Sequence, residues 1–142
     1  MTLYNPHMEA DIGSAIPKIL AVDDNADTVT ILSSILERAG YAVISARSGA
    51  EAIELAEREL PALVLLDLIL PDRNGLDILE AIKKIAPLKN VPILVVSAMS
   101  DKYSKERSYS LGVREYLTKP IYPSDLLNRV REHLPRGNKA AC

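Results

Sequence analysis

Four of the five short apolar runs in this 142-residue chain lead directly into residues that can do chemistry. Ile19–Val22 runs into Asp23-Asp24, Leu63–Leu66 into Asp67, Ile93–Val96 into Ser97, and Glu115–Leu117 is followed one residue later by Lys119-Pro120. Taken singly, each has an ordinary structural explanation. Asp24-Asn25 could cap a helix, Asp67 could sit in a loop, Ser97 could form a turn, and Lys119 could be a solvated charge. Taken together they call for more, because carboxylates at several strand ends repel at short range unless a cation or a buried ammonium compensates them. Carboxylate oxygens with waters suit Mg²⁺, which commonly completes its octahedral shell with phosphate oxygen. Lys119 would then meet a phosphoryl group and not the metal.

The elements that must bring these residues together can be read from hydrophobic spacing. Ile19–Val22, Ala42–Ser45, Leu63–Leu66, Ile93–Val96 and Glu115–Leu117 are the candidate strands, each followed by a stretch of helix length. The first helix is expected over Asp27–Ala39, with Val29, Leu32, Leu36 and Ala39 on one face and Gly40 at its end. The second covers Ser48–Glu59, opens with the Ser48–Glu51 capping box, and is expected to bury Ile53, Ala56 and Leu60 before Pro61 stops it. The third covers Leu76–Ile85, with Leu79 and Ile82 inward, and the fifth Ser124–His133, with Leu127, Val130 and Leu134 spaced along one side. The fourth, Asp101–Leu111, is serine-rich, with bulk only at Tyr103, Tyr109 and Leu111, and is expected to be the most weakly held. Continuous apolar strands alternating with helices imply a doubly wound α/β fold: a five-stranded parallel sheet with five helices. In such a sheet ligands bind outside the carboxyl ends of the strands, where the acidic residues, Ser97 and Lys119 fall.

Composition narrows the partners. Lys and Arg number 17 against 19 Asp and Glu, a net charge of −2, which disfavours direct binding to nucleic acid. Apolar residues make up 48% and charged residues 25%, which is enough for a packed core in one domain. The longest apolar runs, Ala62–Leu70 and Val91–Ala98, are broken by Asp67 and Pro92 and are too short to span a bilayer. Residues 1–17 lack the pattern of a signal peptide, and the single cysteine, Cys142, allows no internal disulfide, so the expected compartment is cytoplasmic. The domain is expected over residues 18–134, between a flexible extension at 1–17 and a short tail at 135–142.

Asp23-Asp24, Asp67 with Pro71 and Gly75 at +4 and +8, Ser97-Ala98 and Lys119-Pro120 resemble the receiver domain of two-component response regulators. The resemblance runs from Lys18 to Leu134, and five separated elements in order make it specific. It implies the flavodoxin-like (βα)5 fold and a phosphorylation switch that catalyses only its own phosphotransfer and dephosphorylation. Asp67 would be the phosphoacceptor, charged by a sensor histidine kinase or a histidine phosphotransfer protein. Asp24, Asp67 and the backbone carbonyl of Ile69 would hold Mg²⁺, with Asp23 acting chiefly through metal-bound water. Lys119 would pair with the acceptor carboxylate before transfer and with a phosphoryl oxygen afterwards. The Ser97 hydroxyl and the Ala98 N–H would take another phosphoryl oxygen, and the Lys119-Pro120 bond would be cis. Tyr116 would be the switch aromatic that follows Ser97, changing the face formed by the fourth helix, fifth strand and fifth helix. That face would be read by a downstream protein or a second copy of the chain.

Two positions depart from the polar pattern seen in some receivers. Ile69 and Met99, which flank the acceptor at two residues after Asp67 and Ser97, are both apolar. Neither can orient an attacking water, so slow loss of the phosphoryl group is expected. No fused output domain is expected after the fifth helix. His7 and His133 are read as structural or solvated, and Cys142 as an exposed, non-functional thiol. Two competing readings are a receiver fold that only binds partners, which the complete acidic set speaks against, and a haloacid-type phosphatase, whose Asp-x-Asp pairing Asp67-Leu68-Ile69 lacks.

Overall fold

Every apolar run forms a strand in the computed structural model, which describes residues 16–135. The order is β1 (Lys18–Val22), α1 (Ala26–Arg38), β2 (Ala42–Ala46), α2 (Gly49–Glu59), β3 (Leu63–Leu66), α3 (Gly75–Lys83), β4 (Ile93–Ser97), α4 (Lys102–Ser110), β5 (Glu115–Thr118) and α5 (Pro123–His133). All neighbouring strands pair in parallel in the order β2-β1-β3-β4-β5. The strand order reverses between β1 and β3, the switch point at which a crevice opens beyond the carboxyl ends of those two strands. Val22 pairs with Leu66, so Asp23 and Asp67 leave the sheet at the same level.

Alternation along the strands divides the core into two layers. Leu20, Val22, Val64, Leu66 and Val95 pack against α2 and α3 through residues such as Ala56 and Ile78, while Ile19, Leu65 and Val96 pack on the other side against Leu36 of α1 and Val130 of α5. The helices begin where side chains can cap them. Asn25 accepts from the Thr28 N–H at 3.0 Å, Ser48 from Glu51 at 3.2 Å, Asn74 from Leu76 at 2.8 Å, and Asp101 from Ser104 at 2.9 Å. Gly40 closes α1 with φ of 100°. Among the described residues no helix is long and apolar enough to cross a membrane.

The structure departs from the sequence reading at several local points. Leu60, expected inside, is 48% exposed in the left-handed conformation, and Ala52 takes the buried place on α2 beside Ala56. Helix α3 stops at Lys83, two residues early, because Ile85 is already extended before a 3₁₀ turn over Ala86–Leu88 that contains Pro87. The Glu51 carboxylate of the capping box accepts from the Arg47 N–H at 2.8 Å, one residue before the cap. On α5, Leu126 is buried with Val130, while Leu127 and Leu134 pack only partly. The segment at 1–15 of the expected extension, His7 within it, and the tail from 136, Cys142 included, lie outside the described residues.

Helix α4 is held by little apolar surface. Tyr103 and Tyr109, its bulky residues, are exposed, and the residues it turns inward are Ser104 and Ser108. The Ser104 hydroxyl donates to Asp101 at 2.9 Å, but the buried Ser108 Oγ has no hydrogen-bond partner among the described residues. A buried hydroxyl without a partner is a desolvation cost with no return. Ser108→Ala is therefore expected to leave unfolding stability unchanged or raise it by about 1 kcal/mol in urea titrations, and a loss of similar size would contradict this packing.

Candidate functional site

The site is built on the ends of β1, β3, β4 and β5. Asp23 and Asp67 are both buried, and the Lys119 ammonium lies between them, 2.6 Å from Asp23 Oδ2 and 2.8 Å from Asp67 Oδ2. The remaining oxygen of each carboxylate is also bound. Asp23 Oδ1 accepts from the Asn25 N–H at 3.0 Å, while Asp67 Oδ1 accepts from the Ile69 N–H at 2.9 Å and the Ser97 hydroxyl at 2.8 Å. Burial alone would lower the Lys119 pKa, but its hydrogen bonds to Asp23 and Asp67 and their charges outweigh that and raise it above the ordinary lysine value. Lys119 is thus a fixed positive charge, delivered by a β5 end whose Lys119-Pro120 bond is cis, as the resemblance implies.

A hydrogen-bonded path leads from this acid pocket to α4. The Ser97 hydroxyl that donates to Asp67 accepts from the Met99 N–H at 3.2 Å, and the Met99 carbonyl accepts from the Tyr116 hydroxyl at 2.5 Å. Burial, then the nearby charges of Asp101 and Asp67, raise the Tyr116 pKa, so the phenol stays protonated as a donor. The Tyr116 N–H donates to the Tyr109 hydroxyl at 3.2 Å, and Lys105 stands 5.8 Å from the Tyr116 ring centroid. The Asp67 carboxylate, the Ser97 hydroxyl, the Met99 backbone and Tyr116 form one connected set.

The β3–α3 loop carries contacts that sequence reading missed. The Asp72 carboxylate accepts from the Gly49 and Ala50 N–H groups at 2.8 and 3.0 Å, bridging to the start of α2, and these bonds lower its pKa. No local signal announces that contact, which spans more than twenty residues of sequence. Gly75 was noted for its spacing, and its reason is steric: a Cβ there would stand 2.3 Å from the Leu68 Cα. Met99 was noted only for its apolar side chain, whereas its backbone N–H and C=O link Ser97 to Tyr116.

The donor set suits a hard cation. Asp23, Asp24 and Asp67 offer only oxygen, and two of them already converge on one positive group. Asp24 is exposed at the rim, and among the described residues nothing pairs with its carboxylate; Ala98 and Ile69 are exposed beside the pocket. The structure thus brings Asp23, Asp67, Ser97 and Lys119 into direct contact, with Asp24, Ile69 and Ala98 around the opening and Tyr116 reached through Met99.

Removing the ammonium would leave two buried carboxylates facing each other. Lys119→Met is expected to cost about 3 kcal/mol of stability near pH 7, and adding Asp67→Asn should recover a large part of it. Strictly additive effects in this double-mutant cycle would contradict the central role of the ammonium. Because the folded pKa of Lys119 is raised, its contribution is complete below the unfolded value near 10.5 and is lost as pH rises through the folded one. The Lys119→Met variant should accordingly lack that share of the alkaline loss of stability.

Comparison with known proteins agrees with this architecture. A model of the response regulator receiver domain family matches residues 19–131. The chain is 39% identical over 124 residues to the alkaline phosphatase synthesis transcriptional regulatory protein PhoP of Bacillus subtilis (strain 168), covering 87% of this chain and 51% of that protein. It is 31% identical over 116 residues to the polar-differentiation response regulator DivK of Brucella ovis, covering 82% of this chain and 94% of that one. The chain thus spans about half the length of the transcriptional regulators it matches and nearly all of DivK. Among solved structures, Vibrio cholerae chemotaxis protein CheY4 superposes with a TM-score of 0.80 at 28% identity, over 84% of this chain and 99% of that one. The BeF3-activated DrrB receiver domain does so with a TM-score of 0.75 at 30% identity, over 84% and 97%. A doubly wound sheet with a buried acidic pair bridged by lysine, matched along most of its length, makes this chain a member of the response regulator receiver family, the phosphorylation switches of two-component signal transduction.

Proposed function

We propose that Asp67 accepts a phosphoryl group from a phosphohistidine of a sensor kinase or phosphotransfer protein, in a Mg²⁺-dependent reaction, and that residues 18–134 act as the switch. The observation that carries this reading is the division of labour between the two Asp67 oxygens. Oδ1 is occupied by the Ile69 N–H and the Ser97 hydroxyl, so Oδ2, held only by Lys119, is the oxygen placed for attack. Its lone pair forms the new P–O bond as the P–N bond to the donor histidine breaks, and the leaving imidazole keeps that electron pair and takes up a proton. Asp23, Asp24, Asp67 and the Ile69 carbonyl would hold a magnesium ion, which would supply positive charge to offset the negative charge of the carboxylate and the phosphoryl group.

Lys119 can turn from the carboxylate to a phosphoryl oxygen, and Ser97 and the Ala98 N–H can take another. Once the Ser97 hydroxyl turned away from Asp67, the Met99 N–H that it accepts from would lose a fixed partner, and the backbone whose carbonyl holds the Tyr116 hydroxyl would be free to adjust. Tyr116 and the loosely packed α4 would then change the α4-β5-α5 face that a downstream protein or second copy reads. The donor would dock beside an apolar groove of about 590 Å³ between α1 and the β5–α5 loop, lined by Ile31, Ile35 and Pro123, which reaches Ala98 and Lys119. The proposed setting for the exchange is the cytoplasm.

Intact-mass spectrometry after incubation with acetyl phosphate and Mg²⁺ tests the acceptor. One phosphoryl adduct is expected on the wild type and none on Asp67→Ala or after chelation; an adduct that survives Asp67→Ala would contradict the assignment. The exposed Ile69 side chain leads to a second expectation. Ile69→Asn should speed the decay of the adduct about tenfold by giving water a partner, and an unchanged or slower decay would show that Ile69 does not set its lifetime.

A further inference from the structure

At the edge of the sheet opposite Asp67, the first residue of β5 meets the last turn of α5. Glu115 Oε2 lies 3.1 Å from His133 Nε2, and Glu132 brings a second carboxylate to the same place. One ligand atom from each of the three residues lies within 4.8 Å of the other two, the one such set of metal-ligating side chains among the described residues. From this geometry we infer that Glu115, Glu132 and His133 form a binding site for Zn²⁺ or a similar divalent transition metal, separate from the acid pocket.

The ligand types select the metal. An imidazole nitrogen with two carboxylates suits Zn²⁺, whereas Mg²⁺ and Ca²⁺ favour oxygen alone. Ligand atoms about 2 Å from a tetrahedral zinc stand about 3.3 Å from one another, with three protein ligands leaving the fourth position for water. The His133–Glu115 separation of 3.1 Å is close to that length, and only Glu132, whose side chain is 53% exposed, has to draw closer by giving up its pairing with Arg129.

The backbones that carry the ligands are fixed. Glu115 opens a paired strand, with Leu94 as its neighbour, and the end of α5 is tied down where the Tyr41 hydroxyl donates to the Leu134 carbonyl at 2.7 Å. Buried Val130 anchors the same turn of the helix. The carboxyl end of a helix also favours a cation through its unpaired carbonyls. One cation already stands near, since Arg129 Nη1 lies 3.2 Å from Glu132. That pair is exposed and spaced i,i+3, a kind worth little in water, so a metal can displace it. A bound ion would join the start of β5 to the end of α5, two elements of the same face.

Calorimetric titration of the metal-free full chain with ZnCl2 tests the site, in wild type, His133→Gln, Glu115→Gln, Asp67→Asn and Cys142→Ser, with circular dichroism confirming that each variant is folded. One equivalent is expected to bind with a dissociation constant below about 100 μM, weakened tenfold or more by His133→Gln and by Glu115→Gln. Asp67→Asn, Cys142→Ser and excess Mg²⁺ should leave it unchanged. In the wild type, the His133 ring nitrogen resonances should shift on binding. No binding in this range, binding that persists in folded His133→Gln, or binding lost with Cys142→Ser or Asp67→Asn would each overturn the site.

Discussion

Two carboxylates at the ends of adjacent parallel strands can be buried together only if a positive charge lies between them, and in this chain that charge is Lys119. The register of β1 and β3 puts Asp23 and Asp67 side by side, and β5, two strands away from β3, brings the ammonium back across the top of β4. Without it the two carboxylates would repel each other across a partly desolvated pocket, at a cost of about 3 kcal/mol. On the proposed reading the same arrangement would make the site responsive. A phosphoryl group on Asp67 would change the charge that the ammonium now balances, so the groups around it would have to rearrange.

The proposed rearrangement would have a physical route, because consecutive hydrogen bonds join Asp67, Ser97, the Met99 backbone and Tyr116. A change in the partner of the Ser97 hydroxyl would reach Met99 through its N–H. Helix α4 is suited to follow. Its inward residues are two serines, one without a hydrogen bond, and its tyrosines face solvent, so little apolar burial is lost when it shifts. The other helices bury apolar residues in the core, Leu36 on α1, Ala52 and Ala56 on α2, Ile78 on α3 and Val130 on α5.

Much of this was legible in the sequence because strand ends coincide with chemistry. Apolar runs located all five strands, and Asp23, Asp67, Ser97 and Lys119 follow them as residue types that an exposed loop would not need together. The parts that stayed hidden depend on contacts between distant segments. Nothing local shows that Asp72 would cap α2, that the Met99 backbone rather than its side chain would connect Ser97 to Tyr116, or that His133 would meet Glu115. Leu60 illustrates the opposite error. Its helical spacing suggested burial, but Pro61 ends the helix and leaves Leu60 in a left-handed cap that turns it to solvent.

The most direct measurement is a crystal structure of the chain with Mg²⁺ and beryllofluoride, which mimics the phosphoryl group on an aspartate. The account predicts beryllofluoride on Asp67, with the Ser97 hydroxyl moved off Asp67 Oδ1 and both Ser97 and Lys119 bonded to fluoride. Beryllofluoride absent from Asp67, or bound there with the Ser97–Asp67 and Lys119–Asp67 contacts unchanged, would contradict it.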